Sequence, residues 1–448
     1  MSSACHQSCS FPLPSHEVAA AMEAVGVTQI GDASIRQLVA IVNQLETRCE
    51  TQFVRMEMGI PGLPPASLGV AAEIAALERG VAGHYPMLEG VPDLKQALAG
   101  FANNFLDLKL SPEHCFPTVG SMQGALASFL MANRMHEGRD ATLFLDPGFP
   151  AQKNQLQILG QGVGSFDVYN HRGADLEAEL ERHLESGRYA SILYSNPNNP
   201  TWVCFSEQEL EIIGRMAKRY DLVVIEDMAY FGMDFRQDYG VPGKAPFQPA
   251  VGHYCDQYIV LLSSSKAFSY AGQRVAGMLV SGALYQRECA NLQQWYQASQ
   301  FGQALVFGVF NCLSSGVSHS AQYGLAALLN AANTSEYAFL EKTAVYGERA
   351  KHMKQVFTKH GFVLVYDQDN GQDLADGFYF TIAYPGMSAA QLLEQLVRYG
   401  ISAISLLTTG SLRGEGLRAC SSKMDETKLM TLSERLVKMK HDWSKQNP

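Results

Sequence analysis

The sequence predicts an α/β fold: a large domain with a mainly parallel sheet flanked by helices, plus a smaller α+β domain. Three observations carry this expectation. The chain has 448 residues, and at roughly 150 residues per domain a single small module is excluded. Of these residues 47% are hydrophobic and 17% charged, enough for a sizeable core and far from the composition of disorder. From about 66 to 310, short apolar runs alternate with helical patterns, the signature of strands joined by helical crossovers.

Taken in order, residues 1–14 mix Ser, Pro and Cys without periodicity and read as a loose leader. Val18, Met22 and Val25, then Ile35, Leu38, Ile41, Val42 and Leu45, predict helices over 16–50 with a break near Gly31. The run MGIPGLPP at 58–65 carries two glycines and three prolines, so a domain border is placed there. Six strands are expected beyond it: ATLFLD (141–146), VGSFDV (163–168), ASILYS (190–195), DLVVIED (221–227), YIVLLSS (258–264) and AGMLVSG (276–282). Several are almost wholly apolar, as strands covered on both faces should be. The pattern from Glu207 to Tyr220 between them is a crossover helix.

In the last third, a helical stretch over 335–360 precedes the runs GFVLVYD (361–367) and GFYFTIAY (377–384). A helix over 388–399, the run ISAISLL (401–407) and a terminal helix from Asp425 follow. The order predicts an N-terminal segment, 1–60, packing with the small domain, a large domain over 61–315 and a C-terminal small domain over 316–448.

Charge and cysteine content narrow the function. Lys and Arg number 34 against 44 Asp and Glu, a net charge of −10, which repels nucleic-acid phosphates. The first Lys or Arg is Arg36, so the positive start of a secretory signal is missing. No stretch reaches the ~18 uninterrupted apolar residues of a membrane span. Nine cysteines scattered from Cys5 to Cys420 suit reduced thiols. A cytoplasmic protein without nucleic-acid or membrane partners is expected. Cys5, His6 and Cys9 lack a second ligand pair at zinc-site spacing, so no metal site is expected.

The polar residues that carry chemistry fall just after predicted strands. Asn196, Asn198 and Asn199 follow ASILYS, Asp227 and Tyr230 follow DLVVIE, and Ser265 and Lys266 follow YIVLLSS. Ligands of open α/β sheets bind at the carboxyl ends of strands, so these residues predict one shared site. Ser263 to Lys266, with Arg274 eight residues on, would hold a phosphate through charge-assisted hydrogen bonds. Gly120, Ser121 and Met122 open a helical pattern over 123–133, whose first amides would complete an anion cradle. Lys266 could be another phosphate ligand or a solvated charge; its place after a buried strand, among serines, argues against the solvated charge, and it could instead form a Schiff base with a carbonyl cofactor. Asp227 supplies the carboxylate that keeps a pyridinium nitrogen protonated, the partner expected beside such a lysine in a pyridoxal-phosphate site. GQGVGS at Gly160 has dinucleotide-loop spacing but precedes a strand, and is set aside.

Seven motifs in order, HYPMLEGVPDLK, VGSMQGA, DPGFP, SNPNNPT, EDMAY, SSSKAFSYAGQRVAG and GLRACSS, make the chain resemble a family from about Gly59 to Arg418. It is similar to the fold type I pyridoxal-phosphate enzymes of the aspartate aminotransferase superfamily, the class I/II aminotransferases. The resemblance implies pyridoxal 5'-phosphate as cofactor, with Lys266 as Schiff-base lysine and proton shuttle and Asp227 on the pyridine nitrogen. It further implies Tyr230 and Asn199 at the ring's phenolic oxygen and Phe149 stacked on the ring. Ser263, Arg274, Ser121 and the Met122 amide would form the phosphate cup, with Ser265 a weaker candidate. Tyr85 would reach the phosphate of a neighbouring subunit, which requires a homodimer with shared sites. Arg418 would pair with the substrate α-carboxylate, and Gly59 would bring backbone close to the substrate. Taken singly, Phe149 and Tyr85 also read as core aromatics, Asn199 as a turn former and Arg418 as a surface arginine.

Two departures bear on specificity. The family's common N-P-T-G reads N-P-T-W here, with Trp202 in place of glycine; a bulky ring there could reshape the loop over the cofactor, while Asn199 itself is retained, and the sequence does not decide its effect. Between Arg287 and Lys342 there is no Lys or Arg, where dicarboxylate-specific relatives place a second arginine. Trp295, Tyr296, Phe301, Phe307 and Phe310 lie in that segment and could line an apolar pocket, with helix packing the competing account; Arg36 or Arg413 could supply a cation from elsewhere. The expected activity is ping-pong transfer of an amino group from an L-amino acid to a 2-oxo acid, the donor not strictly dicarboxylic. A carbon–sulfur β-lyase or decarboxylase on the same site is the alternative, and a non-catalytic cofactor-binding regulator a more distant one.

Overall fold

The structure is a computed structural model that describes residues 10–446, so the Cys5, His6 and Cys9 cluster lies outside the described residues. The chain divides into two compact units. One comprises Met1–Gly62, Pro200–Trp202 and Val345–Pro448, the other Leu63–Asn199 and Val203–Ala344.

The second unit is built on a seven-stranded sheet. Its strands are β1 (Cys115–Thr118), β2 (Ala141–Asp146), β3 (Gly162–Asp167), β4 (Tyr189–Ser195), β5 (Val223–Met228), β6 (Tyr258–Ser263) and β7 (Ala276–Val280). They lie in the order β1-β7-β6-β5-β4-β2-β3, and only β7 runs against its neighbours. All residues of β2, β5, β6 and β7 are buried, as the nearly all-apolar runs require, whereas edge strand β3 alternates and keeps one face half open. Nothing in the hydrophobic pattern marks β1. Four residues are too few for periodicity, and Pro117 is tolerated only because β1 is an edge strand.

The crossover helix Glu207–Tyr220 begins and ends where predicted. Ser206 and Glu209 form a capping box that satisfies two amides at its start. Leu210, Ile213 and Met216 bury its apolar stripe. The stretch expected to be one helix over 335–360 is broken. A helix His319–Asn333 ends before it, Ser335 is left-handed at φ +63°, and helices resume at Phe339–Thr343 and Val345–Lys359. Asn330, Asn333, Thr334 and Ser335 have short polar side chains that compete for backbone groups; Thr334 Oγ1 donates to the Asn330 carbonyl at 3.1 Å.

In the first unit a four-stranded antiparallel sheet holds β8 (Val363–Leu364), β9 (Tyr379–Ala383), β10 (Ile404–Ser405) and β11 (Leu417–Cys420), in the order β10-β11-β9-β8. The run ISAISLL does not form one strand. Ile401–Ser402 pairs with Val54–Arg55 and Ile404–Ser405 pairs with β11, so Ala403 is a corner between two sheets. GFVLVYD contributes only the two residues of β8. The predicted apolar positions Leu38, Ile41, Val42 and Leu45 are fully buried in one core with Phe380, Leu392, Leu396 and Leu432.

Strand β5 carries two successive carboxylates, Glu226 and Asp227, which alternation sends to opposite faces of the sheet. Glu226 is fully buried and accepts from the Val251 amide at 3.0 Å and from Asn196 Nδ2 at 3.5 Å. Burial pushes its pKa up to about 7 from an ordinary 4.5. The native state therefore holds this proton more tightly than the unfolded chain. Its stabilising contribution is complete below about pH 4.5 and is lost as the pH rises through about 7. Glu226→Gln cannot ionise, so denaturant unfolding should find it gaining on the parent chain by up to about 3 kcal/mol between pH 5 and pH 8. A pH-independent difference would contradict this role of Glu226.

Candidate active site

The sheet register brings the predicted residues of the second unit to one edge. Ser195 at the end of β4 lies opposite Asp227, Asp227 opposite Leu261, and Ser263 at the end of β6 opposite Ala276. Thr118 at the end of β1 also lies opposite Ala276. Residues that follow β1, β2, β4, β5 and β6, and residues that precede the reversed β7, therefore share this edge. Gly120 to Met122, Phe149, Asn199, Tyr230, Lys266 and Arg274 all leave the sheet here.

Lys266 sits on the short helix Ser264–Ala267 directly after β6, half-buried. Ser263 caps this turn by accepting from the Ser265 amide at 3.2 Å. Asn199 and Tyr230 are buried, and the Asn199 amide donates to Ser195 Oγ at 3.1 Å. Asn198 Nδ2 donates to the Pro147 carbonyl at 2.9 Å, tying the S-N-P-N-N-P loop to the D-P-G-F-P loop that carries Phe149 at the start of helix Pro150–Ile158.

Asp227 is buried, and both carboxylate oxygens are engaged. Gln152 Nε2 donates to Oδ2 at 2.8 Å and the Ala229 amide donates to Oδ1 at 3.1 Å. Burial raises its pKa to about 6 from an ordinary 3.8, against the lowering effect of these two donors. A cationic ring nitrogen beside the carboxyl would pull it back down and hold it ionised. Gln152 escaped the sequence reading. Its position three residues after Phe149, one turn along the same helix face, is the signal that was available.

The residues expected to hold a phosphate come together at the start of one helix. Helix Gly120–Ala132 begins with left-handed Gly120, φ +65°, and a side chain there would collide with the Arg274 guanidinium. Arg274 is itself left-handed at φ +50° and donates from Nη1 to the Ala271 carbonyl at 2.9 Å. Ser121 Oγ, at the helix start, is buried without a hydrogen-bond partner among the described residues. A guanidinium, an unsatisfied hydroxyl and the first amides of a 13-residue helix fit a phosphate group. With Asp227 and Lys266 on the same edge, the residues fit a phosphorylated pyridine aldehyde. Tyr85 lies on the surface of this unit, 91% exposed, in a cleft of about 630 Å³ with Leu77, Val81, Pro86, Val317 and His319.

In the first unit, Arg418 on β11 is buried, not a surface arginine. It donates from Nη2 to the Glu57 carbonyl at 2.6 Å, and its guanidinium lies 4.4 Å from the centre of the Tyr379 ring. Thr381 is directly opposite Arg418 in the β9–β11 register, so Tyr379, two residues earlier, shares its face. A side chain at Gly59 would collide with the Tyr379 hydroxyl. Trp202 is fully buried and packs edge-on against Tyr379, centroids 6.1 Å apart at 71°. Its φ of +67° is the left-handed conformation that suits glycine and costs other residues roughly 1–2 kcal/mol.

The aromatic segment divides. Phe301 and Phe310 are core residues. Tyr296 donates to the Leu130 carbonyl and accepts from Arg134, which also stacks 4.2 Å from the centre of the exposed Trp295 ring. Phe307 is exposed on a π-helical turn, Ala304–Phe310. Among the described residues no group of three or more His, Cys, Asp or Glu side chains could hold a metal ion. No described helix is long and apolar enough to cross a membrane.

The family model of aminotransferase class I and II matches residues 61–436. The chain belongs to the class I and II aminotransferases. It is 28% identical to glutamate-pyruvate aminotransferase AlaC of Escherichia coli over 220 residues, 48% of this chain and 51% of that one. This match spans about half the length of that relative. The putative aminotransferase YugH of Bacillus subtilis is 23% identical over 428 residues, 92% of this chain and 96% of that one. Among solved structures, the alanine aminotransferase from Pyrococcus furiosus superposes with a TM-score of 0.73 at 17% identity, covering 92% of this chain and 98% of that one. That likeness is one of fold, and it matches the mainly parallel sheet flanked by helices.

Gln152 is the side chain that hydrogen-bonds Asp227 from the helix after β2. Gln152→Leu removes one of the two donors and should raise the Asp227 pKa further. Losing a hydrogen bond to a charged group predicts about tenfold weaker retention of added pyridoxal 5'-phosphate, measured by absorbance titration of the cofactor-free chain. Unchanged retention would contradict the role.

Proposed function

We propose that this chain is a pyridoxal-phosphate-dependent aminotransferase that moves an amino group from an L-amino acid to a 2-oxo acid by a ping-pong mechanism. The observation that carries the reading is the buried Asp227, held by two donors at the strand edge where Lys266 and the Ser121–Arg274 cradle also sit. When bound, the cofactor supplies the electron sink that makes the substrate α-proton removable.

The chain's own residues do the rest. Lys266 would hold the cofactor covalently, and its side-chain amine would move the substrate proton. Asp227 keeps the ring nitrogen protonated. Tyr230 and Asn199 would address the phenolic oxygen, and Phe149 would pack on the ring. Ser121, the Met122 amide, Ser263, Ser265 and Arg274 hold the phosphate, whose charge they match. Arg418 takes the α-carboxylate along the edge of its guanidinium, and Gly59 leaves room for the substrate beside it.

The donor is not strictly dicarboxylic, because the segment between Arg287 and Lys342 offers no cation for a second carboxylate. The relative AlaC is named for glutamate and pyruvate, an amino acid and a 2-oxo acid, which supports that pair of substrate classes without deciding the side chain. Tyr85 is proposed to act in a homodimer. A tyrosine that is 91% exposed, in a cleft it shares with the exposed Leu77 and two residues before the exposed Met87, suits burial against a second copy. Reduced cytoplasm is the proposed location.

Adding amino acids one at a time to the cofactor-loaded protein should convert the visible band to that of the aminated cofactor for at least one donor, without release of ammonia. Pyruvate and ammonia formed without an added 2-oxo acid would replace transamination with β-elimination. Lys266→Ala should abolish turnover while the fold is retained, and normal transamination in that variant would overturn the assignment. Tyr85→Phe should lower cofactor retention several-fold, the size of one lost charge-assisted hydrogen bond. A fully active monomer would contradict the shared site.

A further inference from the structure

We propose that Trp202 and Tyr379 are positioning residues for Arg418: together they clamp its guanidinium in one plane and so set how tightly a substrate carboxylate is held. The inference rests on the reading that Arg418 receives the α-carboxylate.

A guanidinium offers a face and an edge. Carboxylates bind along the edge, where paired N–H groups point in the plane, so the orientation of that plane decides whether both bonds form. Tyr379 engages the face, its ring centre 4.4 Å from the guanidinium carbon, and leaves the binding direction untouched. The Glu57 carbonyl fixes Nη2 at 2.6 Å. Stacking and this hydrogen bond together oppose rotation about the last side-chain torsion.

Tyr379 must itself be immobile for this to work, and it is enclosed. Its hydroxyl abuts Gly59, where no side chain fits, and its ring meets the edges of Trp202 and Phe378. Trp202 in turn fills the space above Gly377, where a side chain would run into the indole. A tryptophan held in a left-handed backbone conformation persists only where the surrounding packing over-determines it. Here the indole is the wedge that closes the aromatic pair. The resemblance implies glycine at this position, and a glycine would leave such a wedge out.

The test measures propionate, a plain carboxylate, binding to the cofactor-loaded protein by calorimetry in four variants, with thermal midpoint and cofactor absorbance as controls. Tyr379→Leu and Trp202→Gly should raise the propionate dissociation constant about five- to tenfold, the range of one cation–π contact, with the cofactor band unchanged. Glycine relaxes the backbone at 202, so loss of the ring is separated from strain. Tyr379→Phe keeps the ring and should bind within about twofold of the parent. Arg418→Ala should lose propionate binding. If Arg418→Ala loses binding while Tyr379→Leu and Trp202→Gly bind as the parent does, the positioning inference falls and the reading of Arg418 stands. The positioning inference also falls if Tyr379→Phe binds as poorly as Tyr379→Leu. Propionate binding that is missing in the parent, or unaffected in Arg418→Ala, overturns the reading of Arg418 itself. Should Trp202→Gly fail to fold, the contrast between Tyr379→Leu and Tyr379→Phe decides alone.

Discussion

The candidate cofactor site depends on one geometric constraint: β4, β5 and β6 are parallel neighbours and end together. Their register puts Ser195 against Asp227 and Asp227 against Leu261, so three loops of unrelated sequence emerge side by side. The backbone groups of these strands are satisfied within the sheet, and the side chains of β5 and β6 are buried on both faces. Polar chemistry is therefore expelled to the strand ends, where Asn199, Asp227, Tyr230 and Lys266 stand. A carboxylate can be held there at a raised pKa because the apolar sheet around it is rigid and excludes water.

The first unit solves a different problem. An arginine buried in an antiparallel sheet carries a large desolvation cost, and Arg418 offsets it with a backbone carbonyl and an aromatic face. The replacement of glycine by Trp202 belongs to this unit, not to the sheet that carries Asp227. The sequence left the effect of this ring open; residue 202 adopts the left-handed backbone that glycine favours, and the indole is fully buried.

Much of this was legible in the sequence, for physical reasons. Strands covered on both faces read as short apolar runs, so β2, β4, β5 and β6 stand out and their ends locate Asp227 and Lys266. Glu207–Tyr220 announces both of its ends through the Ser206–Glu209 box and Asp221. Other features have no such signature. Tyr379 lies in GFYFTIAY, where any aromatic reads as core, and only the β9–β11 register puts it beside Arg418. Gln152 is one of three glutamines in its helix, ordinary until Asp227 is found within hydrogen-bond reach. The short strand β1 and the break at Ser335 are decided by partners distant in sequence and by local competition for backbone groups, neither of which a hydrophobic pattern records.

The proposed chemistry turns on Lys266 holding the cofactor covalently, on the same sheet edge as a carboxylate that keeps the cofactor ring charged. Borohydride reduction of the pyridoxal-phosphate-loaded protein, followed by proteolysis and mass spectrometry, addresses that bond itself. A single stoichiometric pyridoxyl adduct on the peptide containing Lys266 is expected. An adduct on another lysine, or none at all in protein that retains the cofactor, would refute the assignment.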